Sequence, residues 1–196
     1  MRKVSKKTWI LMVSILLVLS VTVGSTIAFL STKSGPVENT FNASKVTTKV
    51  NEEISGSEKT NVTITNTGDI DAWIRAAVVV TWQNEAGEVY GQAPKADDNY
   101  TDWTPGTDWV KGRDGFYYYT KPVAAGNSTA TALIARIAPN GESPANGYYL
   151  SVEILGSGIQ SKPANAFKSA WASSGLSVKT VDDSGNELPP EQWTLK

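Results

Sequence analysis

From Asn61 onward, hydrophobic and polar residues alternate with a period of two, and residues that favour turns separate the alternating runs. That pattern predicts β-strands. Val62 and Ile64 alternate with Thr63 and Thr65 before a turn at Asn66-Thr67-Gly68-Asp69. Over residues 73–82, Ile74, Ala76, Val78, Val80 and Trp82 share one face, and Arg75, Ala77, Val79 and Thr81 the other. A run this apolar suits a central strand covered on both sides. Further strands are predicted at residues 116–120, 132–137 and 148–155. Within the first of these, alternation directs Phe116 and Tyr118 inward and Tyr117 and Tyr119 outward. Residues 164–171 form one helical turn, with Phe167, Ala170 and Trp171 on a common face. Residues 176–181 and 188–195 pair across an Asp182-Asp183-Ser184-Gly185 turn. Seven or eight short strands with one short helix predict an all-β fold, a jelly-roll or immunoglobulin-like antiparallel β-sandwich.

The chain ahead of the strands has a different character. Arg2, Lys3, Lys6 and Lys7 precede an apolar stretch over residues 10–23 that only Ser14, Ser20 and Thr22 interrupt. Basic residues followed by an apolar run and then small residues predict a signal helix, with cleavage at Ser25, Thr26, Ile27 or Ala28. The alternative is an uncleaved anchor, because residues 9–30 approach the roughly 20 apolar residues that span a bilayer. The expected organisation is a signal peptide over 1–27, an extended segment over 28–48 and a sandwich over 49–196. Residues 90–115, rich in Asp, Asn, Gly, Pro and Thr, are expected to form a long loop or insertion within it. The C-terminal residues carry neither a sorting signal nor a hydrophobic tail, so the product is expected to be released or held by other proteins.

Composition narrows the chemistry. The 196 residues contain no Cys and no His, which excludes disulfides, thiolate metal sites, a Cys nucleophile, the Ser-His-Asp triad and His-based zinc chemistry. Four of the 18 basic residues precede the apolar run, leaving 14 against 19 acids, a net charge of −5. So acidic a chain does not attract phosphate backbones, and no nucleic-acid partner is expected.

Several segments in order resemble the TasA/camelysin family of exported Gram-positive proteins. They are Gly24-Ser25-Thr26-Ile27-Ala28-Phe29-Leu30-Ser31, Asn39-Thr40-Phe41-Asn42-Ala43, the stretch from Val62 through Asn66-Thr67-Gly68 to Trp73-Ile74-Arg75, Gly115-Phe116-Tyr117-Tyr118-Tyr119, and the closing residues 159–171. Residues 91–114 depart from the family pattern as an insertion. The resemblance implies export through a SipW-type signal peptidase, secretion to the extracellular matrix or cell surface, and a role as a biofilm fibre subunit. The expected partners are a second copy or a companion matrix protein, with the membrane touched only through an uncleaved signal segment.

A physical route to assembly exists. An open sandwich leaves edge N–H and C=O groups to which an extended segment can add as a strand. Ala28, Phe29, Leu30, Phe41 and Val46 are the candidate assembly residues, apolar anchors among polar neighbours; the alternative has this segment as the first strand of its own sandwich. Trp103, Trp109, Tyr117 and Tyr119 are candidate surface aromatics that would stack on a polysaccharide, against the alternative that they are partly buried. That gives a second function, a carbohydrate- or surface-binding module without self-assembly. Asp97, Asp98, Asp102, Asp108 and Asp114 offer oxygen ligands, but the EF-hand spacing and its terminal Glu are missing, so a solvated loop is expected and no metal or cofactor. Asp69/Asp71 and Glu52/Glu53 sit in local, turn-like settings unlike the separated carboxylates of a glycosidase. The chain is therefore not expected to be an enzyme, camelysin-like proteolysis included. Arg75, amid an apolar strand, must find a partner or lie at the sheet rim.

Overall fold

A computed structural model describes residues 44–196, together with Lys6 and Lys7. The expected signal helix and cleavage residues Ser25, Thr26, Ile27 and Ala28 lie outside the described residues, as do Phe29, Leu30 and Phe41. The chain divides after Asn42, and Ala43–Lys196 forms a compact unit with its own core. Among the described residues, no helix is long and apolar enough to cross a membrane.

Two antiparallel sheets pack face to face. The strands are β1 (Thr48–Ser55), β2 (Glu58–Asn66), β3 (Ala72–Gln83), β4 (Trp109–Lys111), β5 (Tyr117–Tyr119), β6 (Ile134–Ile137) and β7 (Tyr149–Gln160). One sheet has the order β1-β2-β6 and the other β4-β5-β3-β7. A two-stranded pair, β8 (Val178–Lys179) with β9 (Thr194–Leu195), one short α-helix, α1 (Asn165–Ala170), and two 3-10 turns, Ala172–Ser174 and Pro190–Gln192, complete the described elements. The all-β sandwich with a single short helix stands as read from the sequence.

The inter-sheet core follows from alternation. Val62 and Ile64 of β2 and Ile74 and Ala76 of β3 are fully buried against Leu133, Ile134 and Ile137. Burial of each large aliphatic side chain stabilises the fold by about 1.5–3 kcal/mol. The opposite face of β3 contributes to a second cluster, in which Trp73 and Tyr118 pack against Phe167, Trp171 and Leu195 of the C-terminal segment. The central strand is thus covered on both sides at its first half. Farther along, Val79 on β3 and Leu155 on β7 are exposed at 40% and 59%.

Two local features position the open side of the sandwich. Asn66 ends β2 with its side chain fully satisfied: Nδ2 donates to Ile70 O at 2.8 Å and Val123 O at 2.9 Å, and Oδ1 accepts the Gly68 N–H at 3.0 Å. Gly68 is required there, because a Cβ would lie 2.2 Å from Lys45 O. The chain entering β1 therefore runs tightly along this turn, with Asp69 N–H bonded to Lys45 O and Thr67 N–H to Thr47 O. Val46 packs on the core of this same chain. Strand β1, which begins before the first recognised alternation, carries a bulge between Asn51 and Glu53 that interrupts its pattern.

The long segment 90–115 is more structured than the expected loop. It contains β4, and it borders β6 through the bridge Pro105↔Ile134 and the segment just after β6 through Tyr100↔Pro139. A three-residue strand set among Gly and Asp residues leaves no alternation to read. The C-terminal hairpin agrees with the sequence: Val178 pairs with Leu195, and Asp182 accepts the N–H groups of Ser184 and Asn186, each at 2.8 Å.

Candidate functional site

The sandwich has one side on which two edge strands stack, β1 over β7. The ladder of β3 and β7 runs unbroken from Ala72↔Gln160 to Gln83↔Tyr149. Ser161 N–H continues it by bonding Asp71 O at 2.9 Å. Because N–H and C=O of one antiparallel residue point the same way, alternation turns those of Gln160, Gly158, Gly156 and Ile154 away from β3. The same argument from Lys45 and Thr47 turns the backbone groups of Val46, Thr48 and Val50 away from β2. Among the described residues, no strand pairs with either outward edge.

Glycine brings these edges together. A Cβ on Gly158 would meet Val46 Cγ1 at 3.0 Å, Thr48 Cγ2 at 3.1 Å and Ile74 Cδ1 at 3.3 Å. The absent side chains let the start of β1 settle onto β7 and close the core beneath the edge. At the other end of β7 the edge is blocked. Lys59 Nζ donates to Val152 O at 2.5 Å and pairs with Glu52 at 2.9 Å. Lys59 belongs to the central strand β2, and its ammonium reaches across to β7 to occupy one of that edge's outward carbonyls.

Beyond Lys59 the two sheets part around a cavity of about 600 Å³. Ile54, Ser57, Trp82, Tyr148, Tyr149 and Val152 are among its lining residues. A second cavity of about 490 Å³ lies near Asp69, Asp71 and Lys162. There Asp69 Oδ1 accepts the Lys45 N–H at 2.7 Å.

Of the four candidate surface aromatics, two lie in the inter-sheet core and two pack against it. Trp109 and Tyr119 are buried, at 4% and 3% exposure, with ring centroids 5.3 Å apart. Trp109 Nε1 donates to Thr131 O at 3.1 Å, and Tyr119 Oη accepts the Ala130 N–H at 3.1 Å. Trp103 and Tyr117 are half-buried against the same core, 5.1 Å apart. The alternation of β5 is as expected but its direction is reversed: Tyr117 and Tyr119 face the sandwich. The expectation that they face outward is corrected, because the C-terminal segment covers the opposite face and buries Tyr118 as well. Two of the four rings are thus buried and two remain partly exposed.

Arg75 has found its partners under that C-terminal cover. Its Cζ lies 4.0 Å from the Phe116 ring centroid and 4.7 Å from that of Trp171. Nε donates to Ser157 Oγ at 3.1 Å and Nη1 to Tyr118 Oη at 3.3 Å. Tyr118 Oη donates in turn to Asp114 Oδ2 at 2.7 Å, and Asp114 lies 4.0 Å from Arg75 Nη1. Partial burial pushes the Asp114 carboxyl up, but hydrogen bonds from Tyr118, Ser173 and the Phe116 N–H outweigh it and hold its pKa below the usual carboxylate value. Burial pushes the Tyr118 phenol up. Every polar member is engaged within the cluster, so Arg75 ties β3, β5, β7 and the C-terminal segment together.

The other carboxylates are dispersed. Asp108 pairs with Lys121 at 2.9 Å, and Asp102 accepts the N–H of Trp103 at 2.9 Å. Among the described residues no three His, Cys, Asp or Glu side chains come together to hold a metal. The feature that sequence reasoning missed is the cavity end, with Tyr148, Tyr149 and Trp82. Its signal was the doubled Tyr at the start of β7, which alternation sends to opposite faces. Compared with known proteins, the chain matches no family model, no curated protein and no solved structure.

Proposed function

We propose that this chain is an exported structural protein of the extracellular matrix or cell surface that assembles by adding a strand to the open side of its sandwich. The observation that carries this reading is the pair of outward edges, Val46–Thr48–Val50 on β1 and Ile154–Gly156–Gly158–Gln160 on β7, stacked on one side. An incoming extended segment gains main-chain hydrogen bonds along either edge, and alternate side chains set its register. The donor is the segment ahead of Ala43 in a second copy or a companion protein, which carries Phe29, Leu30 and Phe41. Val46 is committed to its own core and is not free to leave. The basic and apolar N-terminus, and the likeness to the TasA/camelysin family, support export and a SipW-type peptidase.

The test compares a chain starting at Ala28 with one starting at Ala43, which retains the whole compact unit. Light scattering and negative-stain microscopy follow their size. Fibres from the longer chain and a folded monomer from the shorter one support the reading. Monomers from both, across pH and salt, overturn it.

A further inference from the structure

We infer that Lys59 ends the strand-accepting part of β7 and so fixes the length of strand that this edge takes up. The inference rests on the strand-addition reading above and names the residue that limits its register.

Backbone geometry alone makes a longer edge available. The ladder with β3 turns the N–H and C=O of Leu150 and Val152 outward, just as it does those of Ile154, Gly156, Gly158 and Gln160. A side chain from the other sheet shortens it. Lys59 pairs with Ile54 of β1 and Ile137 of β6. Ile137 is buried, and cross-strand partners share a face, so the Lys59 side chain is directed into the space between the sheets. Its Nζ crosses to β7, donates to Val152 O at 2.5 Å, and is held there by Glu52 at 2.9 Å. The two side chains are only 17% and 27% exposed.

An incoming strand would bring its own N–H to the Val152 carbonyl. To do so it must displace an ammonium that is already bonded there, and leave the partly buried Glu52 carboxylate without its cation, which is strongly unfavourable. Between residues 154 and 160 no such obstacle stands. Gly156 and Gly158 carry no side chains, and Val46, Thr48 and Val50 already cover their inner side. Four outward residues over this stretch accept a strand of about seven residues. The segment ahead of the sandwich is divided to that length. Gly35-Pro36 interrupts it, because proline has no N–H to give and restricts the residue before it. Residues 28–34 and 37–43 stand on either side, seven in each run. One run can pair while the other spans the distance to the neighbouring copy.

The experiment reads amide hydrogen exchange residue by residue in fibres of the chain starting at Ala28, with the unassembled chain starting at Ala43 as reference. Ile154, Gly156, Gly158 and Gln160 are expected to slow about tenfold or more on assembly, while Leu150 and Val152 exchange as in the reference. Lys59→Met combined with Glu52→Gln removes the ammonium without stranding a carboxylate, and is expected to extend the slow run to Val152 and Leu150. Lys59→Arg keeps a donor for the carbonyl and is expected to stop the run where the parent does. Circular dichroism confirms that each variant is folded. Slowing at Val152 and Leu150 in the parent, an outcome that needs no variant, overturns the inference and leaves strand addition in place. So does a slow run that is unchanged in the double variant, or one confined to Val46, Thr48 and Val50 of β1. Fibres with no newly slowed amide on either edge overturn strand addition itself, and the role of Lys59 with it.

Discussion

Val46 rests on Gly158: a Cβ built on that glycine would lie 3.0 Å from Val46 Cγ1. The contact seats the first residues of β1 on β7, and Thr48 and Ile74 crowd the same point. Gly158→Ala is expected to lower stability by about 1–3 kcal/mol, because three branched neighbours must all shift. Gly156 differs. Its Cβ would meet neighbours only at 3.4 Å, an ordinary contact, so Gly156→Ala should be close to neutral or slightly stabilising. Urea denaturation of the two variants separates them by the transition midpoint at unchanged slope.

Arg75 is enclosed by Phe116 and Trp171 and bonded to Ser157 and Tyr118. A lysine there keeps the charge but loses the planar stacking and the divergent donors. Arg75→Lys is therefore expected to destabilise by about 2 kcal/mol, with Arg75→Ala somewhat worse. A double-mutant cycle with Asp114→Asn should return a coupling energy well above zero, since both belong to one network. Additive losses would show that the ring contacts alone hold the arginine.

The Asp114 carboxyl, with its pKa lowered in the folded state, makes stability depend on pH. The unfolded chain takes up this proton at a higher pH than the folded chain. The contribution is therefore complete above the unfolded aspartate value of about 3.9 and disappears as pH falls through the lower folded value. Tyr118 acts in the opposite sense: its raised pKa stabilises fully below about 10, and that part is lost as pH climbs through the folded value. Denaturation midpoints measured from pH 7 downward should fall less steeply for Asp114→Asn than for the parent. A parallel pair of curves would remove Asp114 from the account.

Period-two alternation made much of this fold legible. β2, β3 and the tail hairpin lie where Val62/Ile64, Ile74–Trp82 and the Asp182 turn indicated, because each buries one face or closes on a local turn. β1 was hidden by its bulge and by Glu52, Glu53 and Lys49, whose polarity reflects an edge. The direction of β5 was not readable either, since four consecutive aromatics suit both faces equally. Only the tertiary fact that residues 165–195 cover one side decided it. The cavity near Tyr149 was beyond reach for the same reason: the β1–β2 hairpin and Trp82 meet residues 139–152 there, which are distant from them in sequence.

The open edge yields a test that leaves the ladder intact. Gly156 directs its N–H away from β3, so a proline there removes an outward donor and places its ring in the path of an incoming strand, while the β3 pairing is untouched. A Cβ there meets Ile64, Thr48 and Val50 only at ordinary contact distance, 3.4 Å, so the position accepts a side-chain carbon. Gly156→Pro is expected to retain the far-ultraviolet dichroism of the parent and to lose fibre formation. Leu155→Lys provides a second variant for the case in which proline disturbs the strand: this exposed side chain tolerates a charge, and charged residues beside an edge discourage pairing. Fibres that form undiminished from both folded variants would show that β7 accepts no strand. The β1 edge at Val46, Thr48 and Val50 would then be the remaining acceptor on this side of the sandwich, and Thr48→Pro, which likewise lacks only an outward N–H, would be the variant that abolishes assembly.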